Sequence, residues 1–233
     1  MKAPLLVFLM LVGNADLLAQ DSTIVTVRTG QKVNDVLTPA DIYHYTQFTN
    51  GKVAFKDGTK GVAKMNYNRL FDQMLFIGPG GDTLALADEK TIKLITVERD
   101  TFFYDEGYIR LIADGNVRLA EKQVWVVADI RKIGTFNKPT TTVAVHSFSS
   151  YTNGADAAKS KDLIMNEDII LRKETHYYVG DKFNFFIRAN KKSIMQLFNK
   201  YEKSVENYLK ENKISFERKD DLEKLVQFLS QLD

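Results

Sequence analysis

From Lys52 to about Ala128 the chain is a succession of short β-branched and aromatic runs separated by turn signals, and no other feature restricts its fold as much. Val53-Ala-Phe55 leads into Asp57-Gly58, a dipeptide that closes tight hairpins because glycine accepts positive φ at little steric cost. Gly61 to Asn68 is the return strand, and since neither of its faces is purely polar it is expected to be covered on both sides. Met74 to Ile77 is a compact apolar run. Gly78-Pro-Gly-Gly-Asp82 must then turn, because Pro79 fixes φ and the glycines remove steric limits. Leu84 to Leu86, Ile92 to Val97, Thr101 to Tyr104, Tyr108 to Ile112 and Gln123 to Ile130 continue the series. Runs roughly 8–12 residues apart with turns between them predict an antiparallel all-β unit. No stretch there has the character of a crossover helix, which argues against a parallel α/β sheet.

The flanks extend this pattern. Ile24 to Arg28 is a short strand, and Thr38-Pro39-Ala-Asp41 is a helix start with a cap, a proline at the first position and an acid in the first turn. Thr142 to Phe148, Asp168 to Val179 and Phe183 to Ile187 are further strands, and the Ser-, Asn-, Gly- and Ala-rich stretch 149–161 is expected to be a mobile loop. After Asn190, a helix cap, the period changes from 2 to 3.6. Ile194, Leu197 and Phe198, then Val205, Tyr208 and Leu209, then Leu222, Leu225, Val226, Leu229 and Leu232 form apolar stripes. The fold class predicted is mainly β with α (α+β): an antiparallel β-sandwich or curved sheet over 21–189, with a C-terminal helical segment, 190–233, packed on it.

The first twenty residues have the form of a secretory signal peptide. Lys2 precedes the apolar run Leu5 to Val12, and polar Asn14 and Asp16 lead to an Ala19-Gln20 exit near which cleavage is expected. The run falls short of the roughly 20 residues that span a bilayer, and no later run is longer, so no transmembrane segment is expected in the mature chain. The mature chain keeps the formal charge of +2, and this near balance argues against a nucleic-acid partner. The chain has no cysteine. An exported fold of this kind has no disulfides and must be held by burial, and it has neither a thiol nucleophile nor a thiolate metal site. An apolar share of 44%, with 15 Phe and 10 Tyr, is enough to build such a core.

The segment Gln47-Phe-Thr-Asn-Gly-Lys-Val53, the run Asn66-Tyr-Asn68 and the phrase Phe76-Ile-Gly-Pro-Gly-Gly-Asp-Thr-Leu84 resemble a family of uncharacterised secreted or periplasmic proteins of Bacteroidota-type bacteria. Asp100-Thr-Phe-Phe-Tyr-Asp105 and Tyr208-Leu-Lys-Glu-Asn-Lys-Ile214 carry the same resemblance. It extends over most of the mature chain and implies a Gram-negative envelope location: periplasm, outer-membrane face or extracellular. It implies no activity, because that family has none established.

The motifs of catalysis are sparse. His44, His146 and His176 lie outside helical spacing of one another, although His146 and His176 could meet across paired strands. Ser147, Ser149 and Ser150 lie near His146, but no Gly-x-Ser-x-Gly elbow is present. Gly78 to Asp82 lacks the lysine and the following helix of a phosphate loop, so a turn is the better reading. Nothing implies a cofactor or a metal. Glu98, Asp100 and Asp105 cluster around an aromatic strand and would serve an envelope hydrolase if they converged at the floor of a cleft. The aromatics carry the other expectation. Phe102-Phe-Tyr104, Tyr108, Tyr177-Tyr178, Phe183, Phe185 and Phe186 place rings on both faces of their strands. One face must enter the core. The other is either covered by the terminal helices or forms a groove, with Phe103, Tyr108, Tyr178 and Phe185 as its ligand-binding residues, for an apolar or glycan ligand or a partner protein. The function expected is that of an exported, non-catalytic binding protein, with the hydrolase as the alternative.

Overall fold

A computed structural model describes residues 23–133, 139–142, 146–152, 157 and 163–232. The expected leader and most of the expected loop 149–161 lie outside these residues. The strands are β1 (Ile24–Val27), β2 (Thr49–Phe55), β3 (Lys60–Asn68), β4 (Gln73–Ile77), β5 (Thr83–Ala85), β6 (Ile92–Val97), β7 (Asp100–Tyr104), β8 (Tyr108–Ala113), β9 (Val117–Ile133), β10 (Pro139–Thr142), β11 (His146–Ser147), β12 (Asp168–Asp181) and β13 (Phe186–Arg188). The helices are α1 (Val33–Val36), α2 (Pro39–Ile42), α3 (Phe148–Tyr151), α4 (Lys191–Leu197), α5 (Glu202–Glu211) and α6 (Lys219–Leu229).

All strands join one sheet in the order β1-β12-β9-β8-β7-β6-β2-β3-β4-β5, with β10 and β11 on β9 and β13 on β12, and every pairing is antiparallel. The hairpins read from the sequence therefore set the local order, and the fold is α+β with a curved antiparallel sheet. The spine is the long pair β9–β12, in register from Asp168 opposite Arg131 to Asp181 opposite Val117 with one irregularity at Ile170/Leu171.

Strand alternation sends Phe102 and Phe103 to opposite faces, and the sheet bends around each of them. On the first face, Phe102 and Tyr108 meet Tyr67 of β3, with ring centroids 5.8 and 6.0 Å apart, and Met65, Met74 and Ile95 complete that core. On the second, Phe103 lies 5.3 Å from Phe186 of β13. Four strand spacings separate β7 from β13, roughly 19 Å in a flat sheet, so only a strong bend brings the rings together. Small residues permit it: Ala120 lies beneath the pair, and Gly180 lies under the Phe186 ring, where an added Cβ would stand 2.5 Å from that ring.

Two caps complete the first face. At one end Trp125, fully buried, packs with Val127, Ile169 and Leu171 under α1 and α2, and its Nε1–H donates to the Asp41 carbonyl at 3.0 Å. α2 starts where the sequence predicts, and the first-turn acid closes a capping box there, with the Thr38 amide donating to Asp41 Oδ2 at 2.9 Å. At the other end Leu119, Tyr177 and Val179 are covered by α4, α5 and α6 through Ile194, Val205, Leu222, Leu225 and Leu229. Asn190 caps α4 as the sequence predicts, its Oδ1 accepting from the Ser193 amide at 2.9 Å.

Three local expectations change. The terminal helices do not cover Phe103, Tyr178 and Phe186, because those rings are on the face that the bend encloses. Residues 148–151 form α3 where the end of a strand at Phe148 and a loop from Ser149 were expected, capped by Ser147 and anchored by fully buried Phe148. β3 is covered on both sides only towards its end, where Asn66 and Asn68 are buried, while Val62 is 76% exposed. Among the described residues no helix is long and apolar enough to cross a membrane.

Candidate functional site

The three acids that a hydrolase would need do not converge. Glu98 is exposed and accepts from Thr49 Oγ1 at 2.7 Å, and Asp105 is exposed in the β7–β8 turn. Asp100 alone turns inward. It accepts from Tyr45 Oη at 2.7 Å, from Arg110 at 2.8 Å and from His44 Nε2 at 3.2 Å. Arg110 also pairs with Glu121, whose side chain is 7% exposed. Burial alone would raise the Asp100 carboxyl, but the hydrogen bonds from Tyr45, Arg110 and His44 outweigh it and hold that group below the usual carboxylate range. Arg69 donates to His44 Nδ1 at 3.1 Å, so the ring proton is on Nε2 and points at Asp100. Only about 10 Å³ remains between His44, Tyr67, Phe102, Tyr108, Arg110, Glu121 and Gln123. That is room for about one water, not a substrate. The network ties the segment after α2 to β7, β8 and β9.

The histidines stay apart. His146 stands opposite Val127 on β9 and is exposed, while His176 stands opposite Lys122. Among the described residues no three potential ligating side chains of His, Cys, Asp or Glu form a metal cluster. Ser147, Ser149 and His176 do line one cavity of about 170 Å³, a juxtaposition with no sequence signal. Both ring nitrogens of His176 are engaged, Nδ1 by Arg188 at 2.6 Å and Nε2 by Glu174 at 3.1 Å, so it has no free nitrogen to activate either hydroxyl.

Burial, then Arg69, lowers the pKa of His44 below its ordinary 6.5, and burial, then Arg188, does the same to His176. Each binds fewer protons folded than unfolded between its depressed pKa and 6.5. Their contribution is therefore complete above pH 6.5 and is lost as pH falls, with a slope of up to about 1.4 kcal/mol per pH unit per histidine. The thermal midpoint is expected to drop between about pH 7.5 and about pH 5.5, and the combined His44→Gln and His176→Gln variant to flatten that drop. An equal slope in the variant contradicts the assignment.

The four residues expected to line an aromatic groove are divided between environments. Phe103 and Tyr178 share the enclosed cluster with Phe186, and Phe103 is 6% exposed. Tyr108 is 1% exposed in the core of the opposite face, because Phe103 pairs with Ile109 and its neighbour must face the other way. Phe185 is 62% exposed. They do not form one groove.

Phe185 does belong to a surface that the strand reading missed. β13 begins only at Phe186, so residues 182–185 form a tip between β12 and β13. Asp181 Oδ1 accepts from the amides of Phe183 and Phe185, at 2.8 and 3.0 Å. Asn184 takes the left-handed conformation, φ 67°, which asparagine tolerates, and its side chain accepts from Arg118. A tip pinned by these bonds holds both rings outward, Phe183 at 77% exposure. Lys182 Nζ lies 5.4 Å from the Phe183 ring centroid. Asp181 also lines a groove of about 220 Å³ at the root of the tip, with Leu197, Lys200 and Tyr201 on its far wall. The signal in the sequence was Asp181 followed at three residues by Asn184, a turn pair interrupting the aromatics. A second groove of about 540 Å³ on β2, β3 and β6 is lined by Asn50, Lys52, Lys64, Thr96 and Glu98, with Val62 as its large aliphatic side chain. Compared with family models, with curated proteins and with solved structures, the chain matches none.

Proposed function

We propose that the protein is an exported, non-catalytic binding protein of the bacterial envelope, and that the Phe183–Phe185 tip with the groove at its root is its recognition surface. The leader-like first twenty residues and the resemblance to secreted and periplasmic proteins support the location. One observation carries the binding role. Two phenylalanines occupy a turn, where polar residues are the rule, and five hydrogen bonds involving Asp181, Asn184 and Arg118 organise that turn with both rings in solvent. Exposed rings that made no contact with a ligand or partner would not need such support. Asp100 is consumed by Tyr45, His44 and Arg110 beside a space of about 10 Å³, which leaves the hydrolase alternative without a cleft.

The test is the F183S/F185S variant. Both side chains are exposed, so its folding stability should stay within about 0.5 kcal/mol of the parent. Its binding of the apolar dye bis-ANS should be largely lost. Undiminished dye binding would place the recognition surface elsewhere.

A further inference from the structure

We propose that the tip docks on an anionic lipid bilayer, with Phe183 and Phe185 at the acyl boundary and Lys182 and Lys200 at the headgroups; this rests on the reading of the tip as the recognition surface. Three observations favour a bilayer over a protein. The first is charge. Lys182 sits beside the Phe183 ring and Lys200 lines the groove below it, and among the described residues neither is in an ion pair. The Asp181 carboxylate accepts from the Phe183 and Phe185 amides, and Arg118 is engaged by Asp114 and Asn184. Two ammonium groups without an ion pair, beside exposed rings, complement anionic headgroups, whereas the cores of protein interfaces are depleted in lysine.

The second is shape. Both rings are exposed on one short tip, separated only by Asn184, so the apolar surface they offer is small. A stable protein interface buries about 800 Å² on each partner, far more than two rings provide. The third is order. A hydrogen-bonded tip enters an interface without the entropy loss of a disordered segment, and its amides at Phe183 and Phe185 are already satisfied by Asp181, so they need no water there. Aromatic and basic side chains on one surface are the combination that peripheral helices use at membranes, here displayed by a hairpin.

The experiment is co-flotation of the protein, purified after export, with vesicles of phosphatidylglycerol and phosphatidylethanolamine or of phosphatidylcholine alone. A retained leader would act equally on parent and variants. Binding to the anionic vesicles is expected, weakening with salt and weaker on phosphatidylcholine. F183S/F185S should reduce it by about 100-fold through lost apolar burial. K182Q/K200Q should reduce it by about 30-fold. Thermal midpoints of the variants show that the fold is intact. Absence of vesicle binding, or equal binding by F183S/F185S, overturns the bilayer proposal. If bis-ANS binding is nevertheless lost in F183S/F185S, the recognition surface stands and its occupant is not a bilayer. If dye binding also persists, both readings fall together.

Discussion

Leu225→Asp is expected to destabilise the protein by about 5 kcal/mol or to prevent its folding. Leu225 is fully buried where α6 meets the far end of the spine, in one cluster with Leu119, Tyr177 and Val179 of β9 and β12. Removing a buried leucine side chain costs about 2–5 kcal/mol from lost transfer energy and the cavity left behind. A carboxylate in its place must be desolvated without a partner or take up a proton, which adds to that loss. Leu225→Ala isolates the first part, with an expected loss of about 3 kcal/mol. Denaturant titration measures both. A midpoint unmoved by the aspartate would mean that the helical segment does not contribute to the folded core. The contrast with F183S/F185S is part of the prediction: large apolar residues on the terminal helices and on the tip should differ by an order of magnitude in their effect on stability.

Arg110→Met should cost about 3 kcal/mol near neutral pH. Arg110 holds two carboxylates, Asp100 and Glu121, in a partly closed interior, and Glu121 is nearly inaccessible. Breaking a buried pair leaves the surviving charges uncompensated, which is more damaging than removing all the charges together. Two controls follow. The triple variant R110M/D100N/E121Q should recover a large part of the loss, since no charge is then stranded. The effect of R110M should also shrink in acid, because Asp100, which Arg110 helps to hold below the usual carboxylate range, takes up a proton more readily once that guanidinium is gone. A loss that is independent of pH and not recovered by the triple variant would mean that Arg110 acts through packing of its stem.

The residues involved explain which features were legible in the sequence. Asp57-Gly58 and Gly78 to Asp82 identified their turns because positive φ is a local demand that few residue types meet: Gly58 and Gly81 have φ of 91° and 88°. The helix start at Thr38 and the Asn190 cap were legible because each satisfies backbone groups within three residues. The apolar stripe from Leu222 to Leu229 was legible because helical period is local as well. The extent of β9 was not. Its first residues, Val117 to Lys122, contain Arg118, Glu121 and Lys122, and they are strand because β12 pairs with them across more than fifty residues of chain. α1 and α3 are single turns whose periodicity is too short to register, and they exist because Val33 and Phe148 enter a core made by distant strands.

The candidate site divides in the same way. That the chain carries many rings on strands, without cysteine and without a recognisable nucleophile motif, was determined by the sequence alone, as were the antiparallel hairpins and the amphipathic tail. Which of those rings reach solvent was decided only by the tertiary structure. Alternation assigns Phe102 and Phe103 to opposite faces, but whether a face is open depends on how the whole sheet bends. That bend joins β7 to β13 across strands far apart in sequence and closes over Phe103 and Phe186. Phe183 and Phe185 stay outside it because Asp181 and Asn184 end the strand just before the ring that the bend encloses. Local hydrogen-bonding and steric rules act over a few residues and can be read along a chain. Burial is the sum of contacts between remote segments, and it exists only once they have met.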